Sequence, residues 1–226
     1  MTTTPEVRTD EEVQRDVLAE LRWDARVQPN EVAVAVGDGI VTLAGWVDNY
    51  VKRWAAERAT QRVRGVTAVA NEIEIRPPGG GGAPTDADVA GAAARTLEWN
   101  ALVPPGQIEV TVSDGRVILR GEVEWEYERR EAERSVRALA GVRGVTNSIA
   151  VRPRQRTEPK ALEQRIAQAL RRSAETDAER IMVEQDGDKV ILRGAVRSWP
   201  ERRDAERAAW SAPGVRYVEN NIRIGP

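Results

Sequence analysis

Cysteine, histidine and phenylalanine are absent from the 226 residues. Without Cys or His there is no disulfide framework, no Cys- or His-ligated zinc, no iron–sulfur cluster, no His-ligated haem and no nucleophile–histidine triad. Lysine occurs only at Lys52, Lys160 and Lys189, so the 34 basic side chains are almost all arginine. Apolar runs are strand-sized, well short of the roughly 20 residues a membrane span needs. The first residues, Met1 to Glu6, have neither the basic stretch nor the apolar segment of a secretory signal. A cytoplasmic chain is expected on that reading. The net charge of −2 gives no global attraction to nucleic acid or anionic lipid. Tryptophan, by contrast, is abundant at seven, and concentrates the aromatic content in large amphipathic rings.

Internal repetition decides the architecture. Val41-Thr-Leu-Ala-Gly45-Trp-Val47 aligns with Val117-Ile-Leu-Arg-Gly121-Glu-Val123 and with Val190-Ile-Leu-Arg-Gly194-Ala-Val196. Each glycine is followed by an Ala-Glu-Arg triplet centred on Glu57, Glu133 or Glu206. Then Gly65, Gly141 or Gly214 opens a Gly-Val-x-x-Val-x-Asn-x-Ile segment containing Asn71, Asn147 or Asn220. The chain is one module three times over. The boundaries are a leading segment 1–8, modules at 9–76, 85–152 and 157–226, a Pro/Gly linker at 77–84 and a basic linker at 153–156.

Each module reads as helix, two strands, helix, strand. Thr9 with Glu12 has the signature of a capping box, Thr85 with Asp88 that of an N-cap, and Pro159 suits a first helical position. Val13, Val17 and Leu21 recur at helical spacing, as do Val89, Ala93, Leu97 and Leu162, Ile166, Leu170. Val32, Val34 and Val36 alternate, and Val41, Leu43, Gly45 and Val47 do the same after the Gly37-Asp-Gly39 turn. A second helix is predicted from about Asp48 to Val63, with a small inner face at Ala56 and Thr60. The fold class is α+β, each αββαβ module a small mixed three-stranded sheet with two helices packed on one face. On this pattern Gly45, Gly121 and Gly194 fall on the inward face, where a missing side chain lets a helix approach; a bulge or bend is the alternative. The asparagines share a face with buried Ile positions. They read as structural groups bonding backbone near a helix end, with a ligand contact as the alternative.

The combination of a Leu-x-Gly-x-Val strand, an Ala-Glu-Arg helix and a Gly-Val-x-x-Val-x-Asn-x-Ile strand resembles the BON domain, a family named for osmotically inducible periplasmic and nodulation proteins. The resemblance covers nearly the whole chain three times. It implies a non-enzymatic module, often in tandem, associated with the cell envelope, stress response and phospholipid interaction. It also makes the periplasm or cell envelope the alternative location.

No enzyme motif competes with that reading. Gly37-Asp-Gly39 lacks the third glycine and the helix of a dinucleotide site, the Gly79 to Gly82 run lacks the Lys-Ser/Thr of a phosphate loop, and Asp186-Gly-Asp188 has too few ligands for a calcium loop. No catalytic residue, metal site or cofactor is assigned. The side of the second helix opposite its core is more informative. It carries Trp199, Arg203, Arg207 and Trp210 in the third module, Tyr50, Trp54, Arg58 and Gln61 in the first, and Glu126, Arg130, Arg134 and Arg137 in the second. Such a row on solvent suits anionic lipid headgroups or a protein partner; the plainer reading is a solvated face whose Trp covers a neighbouring module. The uncovered sheet face of the first module shows Ala33, Ala35, Thr42, Ala44 and Trp46, and is expected to dock another module or a second chain. Two functions follow. One is a tandem binding protein that contacts anionic phospholipid peripherally or a protein partner, the other a structural scaffold that self-associates without lipid. Nucleic acid is disfavoured because acids interrupt the basic groups.

Overall fold

In the computed structural model, residues 8–77, 84–154, 159–172, 180–187 and 189–225 are described. Most of linker 77–84, residues 155 and 156 of the second linker, the Gly79 to Gly82 run and Asp188 lie outside them. The first module consists of α1 (Asp10–Trp23), β1 (Val32–Gly37), β2 (Ile40–Val47), α2 (Tyr50–Arg62) and β3 (Ala68–Ile75). The second repeats the order with α3 (Asp86–Trp99), β4 (Ile108–Ser113), β5 (Arg116–Val123), α4 (Glu126–Arg137) and β6 (Gly144–Val151). The third has α5 (Pro159–Arg172), β7 (Ile181–Asp186), β8 (Lys189–Val196), α6 (Trp199–Trp210) and β9 (Tyr217–Ile224).

Each sheet has three strands with the hairpin strands adjacent and the last strand beside the second. The hairpins are antiparallel, and β5–β6 and β8–β9 are parallel. That is the mixed sheet a hairpin plus a βαβ crossover must give. The first helices bury Val13, Val17 and Leu21, then Val89, Ala93 and Leu97, then Leu162, Ile166 and Leu170. From the strands Val41, Leu43 and Val47, with their counterparts, complete three separate small cores. Ala56 and Thr60 let α2 sit close, as Ala132 and Ala205 do for α4 and α6. Leu139 and Ala212 fall beyond their helices and are only half-buried.

Two clamps hold the elements in place. Thr9 and Thr85 both form full capping boxes, the second using Asp88 where the first uses Glu12. The next residue does something the sequence did not announce. Asp10 accepts from the backbone N–H groups of Asp38 and Gly39, both at 2.9 Å, and Asp86 accepts from Asp114 and Gly115, both at 2.8 Å. The first helix is thereby pinned to the hairpin turn. Pro159 occupies the equivalent position of the third module and offers no carboxylate.

The inward glycines have a different reason from the one expected. Gly45, Gly121 and Gly194 have φ of +127°, +141° and +133°, conformations that L side chains rarely adopt. A Cβ on each would stand 2.0 Å from the carbonyl oxygen of Glu31, Gln107 or Arg180, the residue just before the partner strand. What approaches is therefore the backbone of the residue leading into the partner strand, and neither of the two packed α-helices has a part in it. Gly65 and Gly141, also at positive φ, sit under Val13 and Val89, where a Cβ would lie 3.0 and 2.7 Å from a methyl group. Gly214 has φ +94°.

The asparagines join helix to strand. Asn147 donates to Arg129 O at 2.8 Å and to Glu133 Oε2 at 3.3 Å, and its Oδ1 accepts from Ile149 N at 3.2 Å. Asn220 repeats this with Arg202 O, Glu206 and Ile222, and Asn71 bridges Glu57 and Ile73. The repeated glutamate and asparagine are thus one device. Replacing Asn147 with alanine leaves part-buried donors and acceptors unmatched, and the second module should lose about 1 kcal/mol in urea unfolding. A loss under a few tenths would mean the bridge contributes nothing net.

Two compact units result. One joins most of the first module to the third; the other consists of the second module together with Trp46–Arg53.

Candidate functional site

Within the unit that contains the first and third modules, α2 and α6 bring their outer rows together. Ser198 caps α6 by accepting from Glu201 N, and Pro200 in the first turn fixes the helix start. Trp199 therefore leaves the helix at a defined angle. Its indole Nε1 donates to Val66 O at 3.1 Å, in the segment that follows α2, and Arg202 lies over its ring at 5.6 Å. One turn on, Arg203 Nη1 donates to Gln61 Oε1 at 2.8 Å. Gln61 is buried, although it points away from Ala56 and Thr60. Trp210 holds the corresponding place on α6, away from Ala205 and Ala209, and is only 8% exposed. Trp199 is consumed in pairing two modules and Trp210 is buried, so these two rings present no solvent face. A helical wheel identifies which side leaves its own core but not what covers that side.

The guanidinium groups collect at the same seam. Arg58 stacks over Trp54 at 5.1 Å and reaches Gln61 Oε1 at 3.4 Å, so two arginines from different modules share one amide oxygen. Gln61 Nε2 in turn donates to Glu57 at 3.3 Å. Arg26 also approaches the Trp54 ring, at 6.0 Å. Arg207 pairs with Asp204 at 2.6 Å and keeps about half its side chain in solvent. Arg62 binds Glu20 at 2.5 Å and Asp24 at 3.3 Å. Burial lowers the Arg203 pKa to about 10, helped by Arg58, Arg207 and Arg62 and opposed by Asp204. It remains a cation at neutral pH. Hydrogen bonds from Arg26 hold the Asp24 carboxyl well below the usual carboxylate range against its burial.

The other sequence-selected residues lie elsewhere. Tyr50 is half-buried near the start of α2. Arg130 and Arg134 are exposed on α4, with Arg134 3.7 Å from Glu131. Trp46, on the open side of the first sheet, is 42% exposed, while Ala33 and Ala35 beside it on β1 are open. Two aromatic residues were missed. Trp23 and Trp99 end α1 and α3 at equivalent repeat positions and are 85% and 87% exposed, with Leu102 also exposed after the second. The signal was present, because both fall two residues past a core leucine and off the buried stripe. Arg172 takes their place in the third module.

Three small α+β repeats, the first and third joined through helix-borne indole and guanidinium contacts, place the protein among tandem repeat proteins built from αββαβ units. Residues 9–77, 85–153 and 160–226 each match the BON domain, and the chain belongs to the BON domain family. It is similar to osmotically-inducible protein Y of Escherichia coli (strain K12), with 27% identity over 146 residues, 62% of this chain and 71% of the relative. Two solved structures of CdsD, a structural protein of the type III secretion system of Chlamydia trachomatis, align over 95% and 97% of this chain. They are matched over 93% and 100% of their own length, at 14% and 13% identity and a TM-score of 0.27 in each case. Among the described residues no helix is long and apolar enough to cross a membrane.

Proposed function

We propose that this is a non-enzymatic tandem binding protein of osmotic or envelope stress that contacts anionic phospholipid peripherally through arginine-rich helix faces. The observation that carries the reading is the gathering of Arg58, Arg62, Arg203 and Arg207 at the α2/α6 seam, with Arg203 desolvated among like charges. Arginine suits the task because its planar fork binds phosphate oxygens in pairs. The exposed Arg130 and Arg134 of α4 supply a second, weaker contact, and the exposed Trp23 and Trp99 supply rings of the kind that settle at headgroup level. Similarity to an osmotically-inducible protein supports the stress association, and the cell envelope is the compartment that fits it. Several weak contacts on one chain add by avidity when they face the same surface.

Co-sedimentation with phosphatidylglycerol or phosphatidylcholine vesicles at 50 and 300 mM salt tests this. Preferential pelleting with the anionic vesicles that weakens at the higher salt is expected. Equal pelleting with both lipids would sink the phospholipid reading. A second reading has its own support, since Trp199 is spent on pairing modules. It makes the chain a scaffold that self-associates, and predicts concentration-dependent oligomers in sedimentation velocity with no lipid preference.

A further inference from the structure

We infer that pairing of the first and third modules builds a binding site for a phosphate-type oxyanion, held between Arg58 of α2 and Arg203 of α6. This deepens the anionic-ligand reading above by assigning the ligand to one place and to two residues.

Gln61 joins the two arginines. Its side-chain oxygen receives Arg203 Nη1 at 2.8 Å and Arg58 Nη1 at 3.4 Å. Two guanidinium nitrogens within hydrogen-bond reach of one oxygen stand no more than about 6 Å apart, a spacing that two oxygens of a tetrahedral anion can bridge. The shared acceptor is a neutral amide. It satisfies one N–H of each group, and at Arg203 the nearby Arg58, Arg207 and Arg62 are opposed by Asp204, so an anion placed between the two guanidinium groups adds favourable charge. Geometry restricts both arginines. Arg58 lies over the Trp54 ring at 5.1 Å, and Arg203 is half-buried on α6 with its Nη1 held by Gln61. Part of the ordering cost is therefore met before any ligand arrives. Arg207, one turn beyond Arg203 and half-exposed beside Asp204, stands where a third donor can reach from solvent. The site is composite: the third module has Trp210 where Gln61 stands, and the first has Trp54 where Arg203 stands. The second module has Arg130 and Arg134 on α4 in the places of Arg203 and Arg207, but lies in the other compact unit.

Calorimetric titration of the full chain with glycerol 3-phosphate at low salt tests the site, with glycerol as the uncharged control. Saturable binding is expected for the phosphate ester and none for glycerol. Arg58→Gln and Arg203→Gln should each weaken binding tenfold or more, and Arg95→Gln, an exposed arginine on α3, should not. Arg58→Gln leaves the Trp199 and Trp210 packing in place, so it decides the matter if Arg203→Gln unfolds. No saturable binding by the wild type, or wild-type affinity in Arg58→Gln, overturns the site. Phosphatidylglycerol vesicles form a second arm. Phosphate-ester binding that depends on Arg58, without vesicle preference, keeps the site and removes the phospholipid reading. Vesicle binding that persists unchanged in Arg58→Gln keeps the lipid and removes the site.

Discussion

Alanine at Gly45 should unfold the first module at temperatures where the wild-type chain is intact. The substitution places a Cβ 2.0 Å from the Glu31 carbonyl oxygen at a backbone φ of +127°. Backbone meets backbone there, so no side chain can swing aside. The positive φ costs about 1–2 kcal/mol and the overlap a similar or larger amount, about 3 kcal/mol or more together. A module of this size holds only roughly 5 kcal/mol, so most of its stability goes. Thermal melts followed by circular dichroism read the loss directly. Gly106 provides the control, because it too has positive φ (+72°) but open space around its Cα. Gly106→Ala should cost only about 1 kcal/mol. Equal shifts in the two variants would show that the close approach at Gly45 is not what matters.

The second large effect is expected from Trp210→Ala. Removing a buried indole typically costs about 3–5 kcal/mol. Trp210 points away from Ala205 and Ala209, so the loss should reach beyond its own module. Hydrogen exchange is the measurement. Amides near Gln61 and Val66, more than a hundred residues earlier in the chain, should exchange faster, because Trp199 and Arg203 hold that segment only while α6 is docked. Leu170→Ala, which opens a cavity in the third module's own core, gives the comparison. If Trp210→Ala accelerates exchange only within 181–224, the indole is covered by its own module and the pairing does not depend on it.

Much of the fold was legible in the sequence because one pattern is written three times in register. A helical stripe such as Val13, Val17 and Leu21 and an alternating strand such as Val41, Leu43 and Val47 each specify what faces their own core, and both were found buried. Reasons that depend on a second segment were not legible. Gly45 sits in the inward register whether a helix or a strand approaches it, and only the position of Glu31 decides between them. Asp10 looks like an ordinary first-turn acid; its bonds to Asp38 and Gly39 depend on where the hairpin ends in space. The candidate site was half legible. Trp199, Arg203, Arg58, Trp54 and Gln61 fall on the outer rows by helical angle, whereas the Val66 carbonyl carries no signal of its own, and that two of the rows meet, with Gln61 accepting from Arg203, depends on a second segment.

The seam also sets a timetable for synthesis. Trp199 meets a carbonyl 133 residues upstream, so the first module leaves the ribosome with its α2 flank uncovered while the second is being made. At a typical elongation rate that interval lasts on the order of ten seconds, far longer than a small domain needs to fold. The middle module is finished and compact before the outer two can meet. A nascent chain halted near residue 160 would display Gln61 and the Val66 carbonyl to whatever else is in the compartment, and ribosome stalling or truncation there should yield the form most prone to capture by other chains.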